Sequence, residues 1–277
     1  MKQIPVLVCL GVTVLLFFCC MGIGGNYFVP GLTGYVLDEP GRILLKRPLK
    51  EISGIYYIND KKVVAINDEE GKLFFINPDN GNFEVVAFGK KDDYEDLVKA
   101  DSAYYVLNSK GHLFEIQESD NKLVATYTND FGKKMEFESL CYDKANAQLL
   151  LICKECGKNS ASIESYRFSL SEKKFITDPY FSIAWRDIQR LGKDNTIECK
   201  PSAAAINPID GKLYIIASVG SVLLQCTING ALEAVYKLNR DHFPQAEGIT
   251  FTSSGDLYIT NEGGEGKASL LKFLYRP

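Results

Sequence analysis

Along most of the chain, apolar residues gather in short runs, interrupted about every ten positions by turn-forming residues. Such runs are Lys62 to Ile66, Lys72 to Ile76, Ala103 to Leu107, His112 to Ile116, Gln148 to Ile152, Lys212 to Ile216 and Asp256 to Ile259. Val, Ile, Leu, Tyr and Phe dominate them, and β-branched and aromatic side chains suit a pleated surface. Asn80-Gly81, Asp210-Gly211, Asn229-Gly230 and Ser254-Gly255 separate several runs, and these dipeptides accept the positive φ of tight hairpins. The pattern predicts an all-β protein of antiparallel meanders.

A longer period overlies the alternation. A Ser or Glu, then a small or acidic residue, then an aliphatic residue or Ala opens a strand at five places: Ser53-Gly54-Ile55, Glu95-Asp96-Leu97, Glu138-Ser139-Leu140, Ser202-Ala203-Ala204 and Glu247-Gly248-Ile249. Each is followed 13 to 16 residues later by the end of a second apolar run, at Asn67, Asn108, Cys153, Ser218 and Asn261. The starts lie 42, 43, 64 and 45 residues apart, near the ~40–45 residues of a four-stranded propeller blade. A single β-propeller over residues 27–277 is predicted, with five blades, or six if the 64-residue interval hides a degenerate unit. In that interval Trp185, Ile188 and Leu191 have helical spacing, so a short helix or lid is expected within 184–200. Only 30 residues follow Glu247, too few for four strands. The run Arg42 to Lys46 is expected to supply the missing strand, closing the ring and covering its sheet edges.

The first residues follow a different pattern. Ile4 to Ile23 carries no charge and is preceded by Lys2. As a helix it would span roughly 30 Å, the thickness of a bilayer's hydrocarbon core. Residues 1–26 therefore read as an apolar helix serving as a transmembrane anchor. A lipidated Cys19 or Cys20, or a cleaved signal, are the alternatives. The leading Lys2 favours a propeller on the extracytoplasmic side of the cell membrane or envelope.

Composition narrows the partners. With 46% hydrophobic and 24% charged residues the chain is not disordered. Its net charge of -4, with both signs interspersed, leaves no basic face for nucleic acid. The body holds five cysteines, Cys141, Cys153, Cys156, Cys199 and Cys226. They read mainly as small buried apolar groups, with one or two disulfides open. Cys153 and Cys156 form a C-x-x-C that lacks the further ligands zinc would need.

In a propeller, the start of each innermost strand and the end of the next share one mouth of the channel. Ser53, Glu95, Glu138, Ser202 and Glu247 are therefore expected near Asn67, Asn108, Ser218, Asn261 and Glu262. Three glutamates on one axis repel and raise one another's pKa unless a cation compensates. Such oxygen-rich sites suit Ca²⁺, so Glu95, Glu138 and Glu247 are the candidate metal ligands. The competing reading has these polar groups bonding between blades. His242 precedes Glu247 in a loop from which it could reach a ligand. With only His112 and His242 in the chain and no nucleophile elbow or phosphate loop, no catalytic residue is assigned.

Phe243-Pro244-Gln245-Ala246-Glu247-Gly248-Ile249, followed by Gly255-Asp256-Leu257-Tyr258-Ile259-Thr260-Asn261-Glu262, resembles the C-terminal signature of the SdiA-regulated, YjiK-like propellers. Leu49 to Ile55 and Lys200 to Ala204 resemble its other signature stretches. The resemblance implies a bacterial extracytoplasmic protein, often membrane-anchored, akin to calcium-regulated propellers and distantly to phytase-like folds. It implies no particular reaction. The expected function is binding of Ca²⁺ or a small ligand at the acidic mouth. A Ca²⁺-dependent phosphoesterase or lactonase, or an envelope scaffold for another protein, are the alternatives.

Overall fold

The computed structural model describes residues 31–131, 134–157 and 160–277, and the predicted N-terminal apolar helix lies outside them. Among the described residues, the first strand, β1 (Gly41–Leu44), is followed by a 3₁₀ turn at Arg47–Leu49. The first blade then forms from β2 (Ile52–Asn59), β3 (Lys62–Asn67), β4 (Lys72–Ile76) and β5 (Phe83–Ala87). The second contains β6 (Tyr94–Ala100), β7 (Ala103–Asn108), β8 (Leu113–Gln117) and β9 (Leu123–Tyr127). The third contains β10 (Met135–Asp143), β11 (Gln148–Cys156), β12 (Ser162–Ser169) and β13 (Lys174–Ala184), and runs into helix α1 (Trp185–Gly192). The fourth contains β14 (Ala203–Ile206), β15 (Leu213–Ala217), β16 (Val222–Cys226) and β17 (Leu232–Lys237). The fifth is built from β18 (Ala246–Phe251), β19 (Leu257–Asn261) and β20 (Ser269–Phe273), with β1 as its outer strand.

Five antiparallel meanders result, and their innermost strands β2, β6, β10, β14 and β18 touch in a closed ring. β1 pairs with β20 from Gly41↔Lys272 to Leu44↔Ser269, so the expected closure is present, beginning one residue before the predicted run. The 64-residue interval holds no sixth blade. It is filled by the strands of the third blade, two of nine residues, one of eight and one of eleven, and by α1.

The alternation within each strand explains why the runs are almost wholly apolar. Val63 and Ala65 of β3 face the fifth blade, while Val64 and Ile66 face the second. Leu213, Ile215 and Ala217 of β15 face the third blade, while Tyr214 and Ile216 face the fifth. The core is thus five apolar clusters, one at each junction between blades. A sheet buried on both faces needs hydrophobic residues at successive positions. The tight turns follow the sequence reading as well: Gly81 and Gly230 have φ of +70° and +83°. At Gly230 a Cβ would also strike the Phe181 ring.

Of the body cysteines, Cys141, Cys199 and Cys226 are buried and free, as the sequence reading expects. Cys153 and Cys156 form a disulfide.

An acidic channel mouth as candidate functional site

The recurring motif marks a β-bulge. Glu95 falls between the pairs Tyr94↔Asn108 and Asp96↔Leu107, so the ladder passes it by. Glu247 is skipped in the same way between Ala246↔Asn261 and Gly248↔Thr260, and Glu138 between Phe137↔Cys153 and Ser139↔Ile152. In the first blade Ser53 lies in the irregular stretch between Ile52↔Asn67 and Ile55↔Ala65. A bulge turns one side chain out of the alternation and aims it elsewhere. Here that direction is the channel mouth, where Ser53, Glu95, Glu138 and Glu247 line one cavity of about 370 Å³.

Ser218 and Glu262 also line this cavity, as predicted. The remaining predicted mouth residues hold backbone instead. Asn67 Oδ1 accepts the Glu70 N–H at 3.0 Å, and Asn108 Oδ1 accepts that of His112 at 2.9 Å. Asn261 Nδ2 donates to the His242 carbonyl at 3.0 Å. Ser202 Oγ donates across the blade junction to the Ala246 carbonyl at 2.6 Å. Each terminates a strand or bridges a junction where backbone groups would otherwise lack partners. None of the four lines the cavity, and neither does His242, which offers its backbone carbonyl rather than its ring.

Two further sets of lining residues stand at fixed offsets from the motif, and of these only Glu262 is among the expected mouth residues. Glu51, Asp93, Glu136, Lys200 and Gln245 all line the cavity, and each stands two positions before a motif start. Asp68, Lys154, Val219 and Glu262 line it too, and each follows directly on a closing residue of the second strand. The signal was therefore the same repeat, extended by two residues in one direction and one in the other. Together the lining contains eight carboxylates, Glu51, Asp68, Asp93, Glu95, Glu136, Glu138, Glu247 and Glu262, against the ammonium groups of Lys154 and Lys200.

The two lysines belong to the third and fourth blades. Lys154 is itself a bulge residue, skipped between Glu136↔Glu155 and Phe137↔Cys153. It forms an ion pair with Glu138, and its Nζ lies 3.6 Å from Glu136. Lys200 Nζ is 2.8 Å from Glu155 and 3.7 Å from Glu198. Ser218 bonds Glu247, and Gln245 Nε2 donates to Glu262 at 3.0 Å.

Burial governs the charge state of the carboxyls. Desolvation, reinforced by Glu138 and Asp93, pushes Glu95 up to about 9. Desolvation and the charge of Glu138 push Glu247 up to about 8. Glu138 is carried up to about 7 by desolvation, with Lys154 holding it down. Asp68 is raised to about 6 by burial and by Glu51 and Glu69. Burial pulls the Lys154 ammonium down, yet Glu138, Glu136 and Glu95 outweigh it, so its pKa ends above the ordinary lysine value. The mouth thus stores negative charge that is only partly expressed near neutrality, as expected of carboxyls crowded in a low-dielectric hollow.

These features define a five-bladed β-propeller with an acidic site at one end of its axis. The family model described as SdiA-regulated matches residues 81–264, well over half of the chain, and the chain belongs to that family. No curated protein sequence matches it. The chain is similar to several solved structures at low identity, and the first two of the following share its fold. A luciferin-regenerating enzyme is 9% identical with a TM-score of 0.51, over 85% of this chain and 95% of that one. A chain of a nidogen/laminin complex is 11% identical with a TM-score of 0.51, over 79% and 74%. A calcium-binding regucalcin of Agrobacterium tumefaciens strain C58 is 12% identical with a TM-score of 0.47, over 88% and 95%.

Proposed function

We propose that the protein is a non-enzymatic binding propeller, held at the extracytoplasmic face of a membrane by its N-terminal apolar segment, whose acidic mouth takes up a cation. The observation that carries this reading is the imbalance of eight carboxylates to two ammonium groups around a single cavity. A cation entering it relieves repulsion that burial otherwise suppresses only by protonation. The Cys153–Cys156 disulfide supports a location outside the reducing cytoplasm.

Among metal ions Ca²⁺ has the matching donor chemistry, since carboxylate and hydroxyl oxygens are its preferred ligands. Among the described residues no group of three or more His, Cys, Asp or Glu stands ready to hold a metal. The carboxylates are distributed around a hollow, and Glu138 is engaged by Lys154. A Ca²⁺ ion retaining part of its water, held by Glu95 and Glu247, fits this layout better than a fully stripped ion.

Calorimetric titration of the detergent-solubilised full-length chain with CaCl₂ tests the proposal. Glu95→Gln and Glu247→Gln should each weaken binding roughly tenfold. Absence of binding at millimolar Ca²⁺ overturns the Ca²⁺ assignment. A parallel titration with a small organic diamine then decides whether the mouth takes cations at all. Turnover in a phosphoester and lactone panel that a chelator abolishes would replace the binding function with a Ca²⁺-dependent hydrolase.

A further inference from the structure

The disulfide between Cys153 and Cys156 encloses two residues, Lys154 and Glu155. Both side chains make ion pairs at the mouth: Lys154 with Glu138 and Glu136, and Glu155 with Lys200. Lys154 and Lys200 are the two ammonium groups in the cavity lining. One small covalent ring therefore carries one of these cations and, through Glu155, positions the other. The ladder alone does not hold this piece in place. Between Glu136↔Glu155 and Phe137↔Cys153 the register slips, and Lys154 has no partner across the strands. A bulge residue lacking ladder pairing depends on other restraints for its direction, and here a covalent bond spans it.

The two sulfurs differ in access. Cys153 is wholly buried in the cluster between the second and third blades, whereas Cys156 is partly exposed and its Sγ accepts the Glu164 N–H at 3.3 Å. An incoming thiolate therefore has one accessible target.

We propose that the Cys153–Cys156 disulfide is a reducible clamp on the channel mouth, opened by a dithiol of the C-x-x-C exchange class, and that opening it releases Lys154 and Lys200 from their carboxylates. In the first step a thiolate of the dithiol bonds to Cys156 Sγ, while the Cys153–Cys156 bond breaks and Cys153 leaves as a thiolate that takes up a proton. In the second step the dithiol's other thiolate attacks its own sulfur in the mixed disulfide, so Cys156 departs and is protonated. Two electrons and two protons pass from the dithiol to the protein, and the dithiol becomes a disulfide. With its cations no longer fixed, the mouth presents a stronger negative field, so reduction raises its affinity for a cation. This last consequence rests on the cation-binding function proposed above, and the clamp itself does not.

Amine labelling of the full-length chain read by mass spectrometry tests the clamp. The chain is compared oxidised and after treatment with dithiothreitol, with Cys153 and Cys156 thiols counted by alkylation. Lys154 and Lys200 should label roughly fivefold faster after reduction, the factor that loss of a partly exposed ion pair represents. Lys99, paired with Glu118 in another blade, should not change. Equal labelling rates with both thiols shown to be free overturn the clamp, as does a disulfide that native-state dithiothreitol leaves intact. Cys156→Ser provides the open form without reductant. If that variant does not fold, the chemical reduction decides alone. Calorimetry with CaCl₂ on both redox states separates the two proposals. Faster labelling with no cation binding in either state supports the clamp and removes the binding function. Equal labelling with Ca²⁺ binding intact removes only the clamp.

Discussion

Asp96 of the second blade occupies the space that a Cβ on Gly54 of the first blade would need. Such a carbon would strike Asp96 Oδ1, and it would come within 2.6 Å of the Asp96 Cα and 2.7 Å of the Leu97 nitrogen. Gly248 meets the first blade in a similar way, against the Ser53 carbonyl at 2.7 Å. The second position of the motif is small in four blades, at Gly54, Ser139, Ala203 and Gly248, and in the second blade it is Asp96, which fills the space that Gly54 leaves open. Backbone cannot yield as a flexible side chain does, so Gly54→Ala should destabilise the fold by about 1–3 kcal/mol. Gly31→Ala, where a Cβ meets nothing within 4 Å, should stay within ~0.5 kcal/mol of the parent chain. Thermal unfolding of both variants checks the contrast.

Asp96 itself accepts the backbone N–H of Leu97 at 2.8 Å and that of Leu140, in the third blade, at 2.7 Å. It binds two blades together from a fully buried position, where desolvation raises its pKa well above the ordinary aspartate value despite these two donors. Asp96→Ala leaves both N–H groups without a partner and should cost about 1–3 kcal/mol for each. Faster hydrogen exchange at Leu97 and Leu140 would locate the loss.

Stability should fall on the alkaline side. Glu95, Glu247 and Glu138 have folded-state pKa values of about 9, 8 and 7, against an ordinary value of 4.5. Over that interval the folded chain keeps protons that the unfolded chain has released, so it loses stability as pH rises. The contribution is complete below about pH 4.5 and is lost progressively as pH passes through 7 to 9. Calorimetric melting should give a lower Tm at pH 9.5 than at pH 6, and Glu95→Gln should flatten the slope. A Tm that does not decline over this range contradicts the charge state described for the mouth.

Lys154→Met removes the cation that restrains Glu138. The Lys154 side chain is 27% exposed and that of Glu138 11%, so solvent screens the pair only in part. The single substitution should cost about 1–3 kcal/mol, more at alkaline pH where Glu138 must ionise alone. Adding Glu138→Gln should recover most of that loss, and denaturant titration of the four proteins in the cycle measures the coupling.

Ser202 separates structural from ligand-facing positions of the motif. It is 2% exposed, bonds the Ala246 carbonyl and lies outside the cavity lining. Ser202→Ala should lower stability by about 1 kcal/mol and leave CaCl₂ titration unchanged, in contrast to Glu95→Gln.

The propeller was legible because two periods reinforce each other, the strand alternation and the blade-length motif. Ring closure by β1 followed from counting the residues left after Glu247. The candidate ligands were legible at the motif starts, since a Glu opening an otherwise apolar strand is conspicuous. Glu51, Glu136 and Lys200 were not, because Glu51 and Lys200 lie outside the strands and Glu136 in the first residues of β10, before the apolar run that marks it, so only their fixed offset from the motif distinguishes them. Lys154 was hidden by a second bulge, which alternation cannot reveal because it lies in β11 beyond the expected strand end. The pairing of Cys153 with Cys156 depends on that same irregularity, since spacing alone does not determine connectivity. Asn67, Asn108 and Asn261 were drawn into the mouth on position, although amides at strand ends have backbone groups close at hand.

A bulge residue at the mouth belongs to neither a ladder nor an interblade core. The side chains of Ser53, Glu95, Glu138 and Glu247 therefore face the cavity without taking part in the strand ladders. Selection can rewrite what this end of the ring recognises one sector at a time while the scaffold stays constant. The residues immediately after those four, Gly54, Asp96, Ser139 and Gly248, are the ones tied to the geometry of the ring.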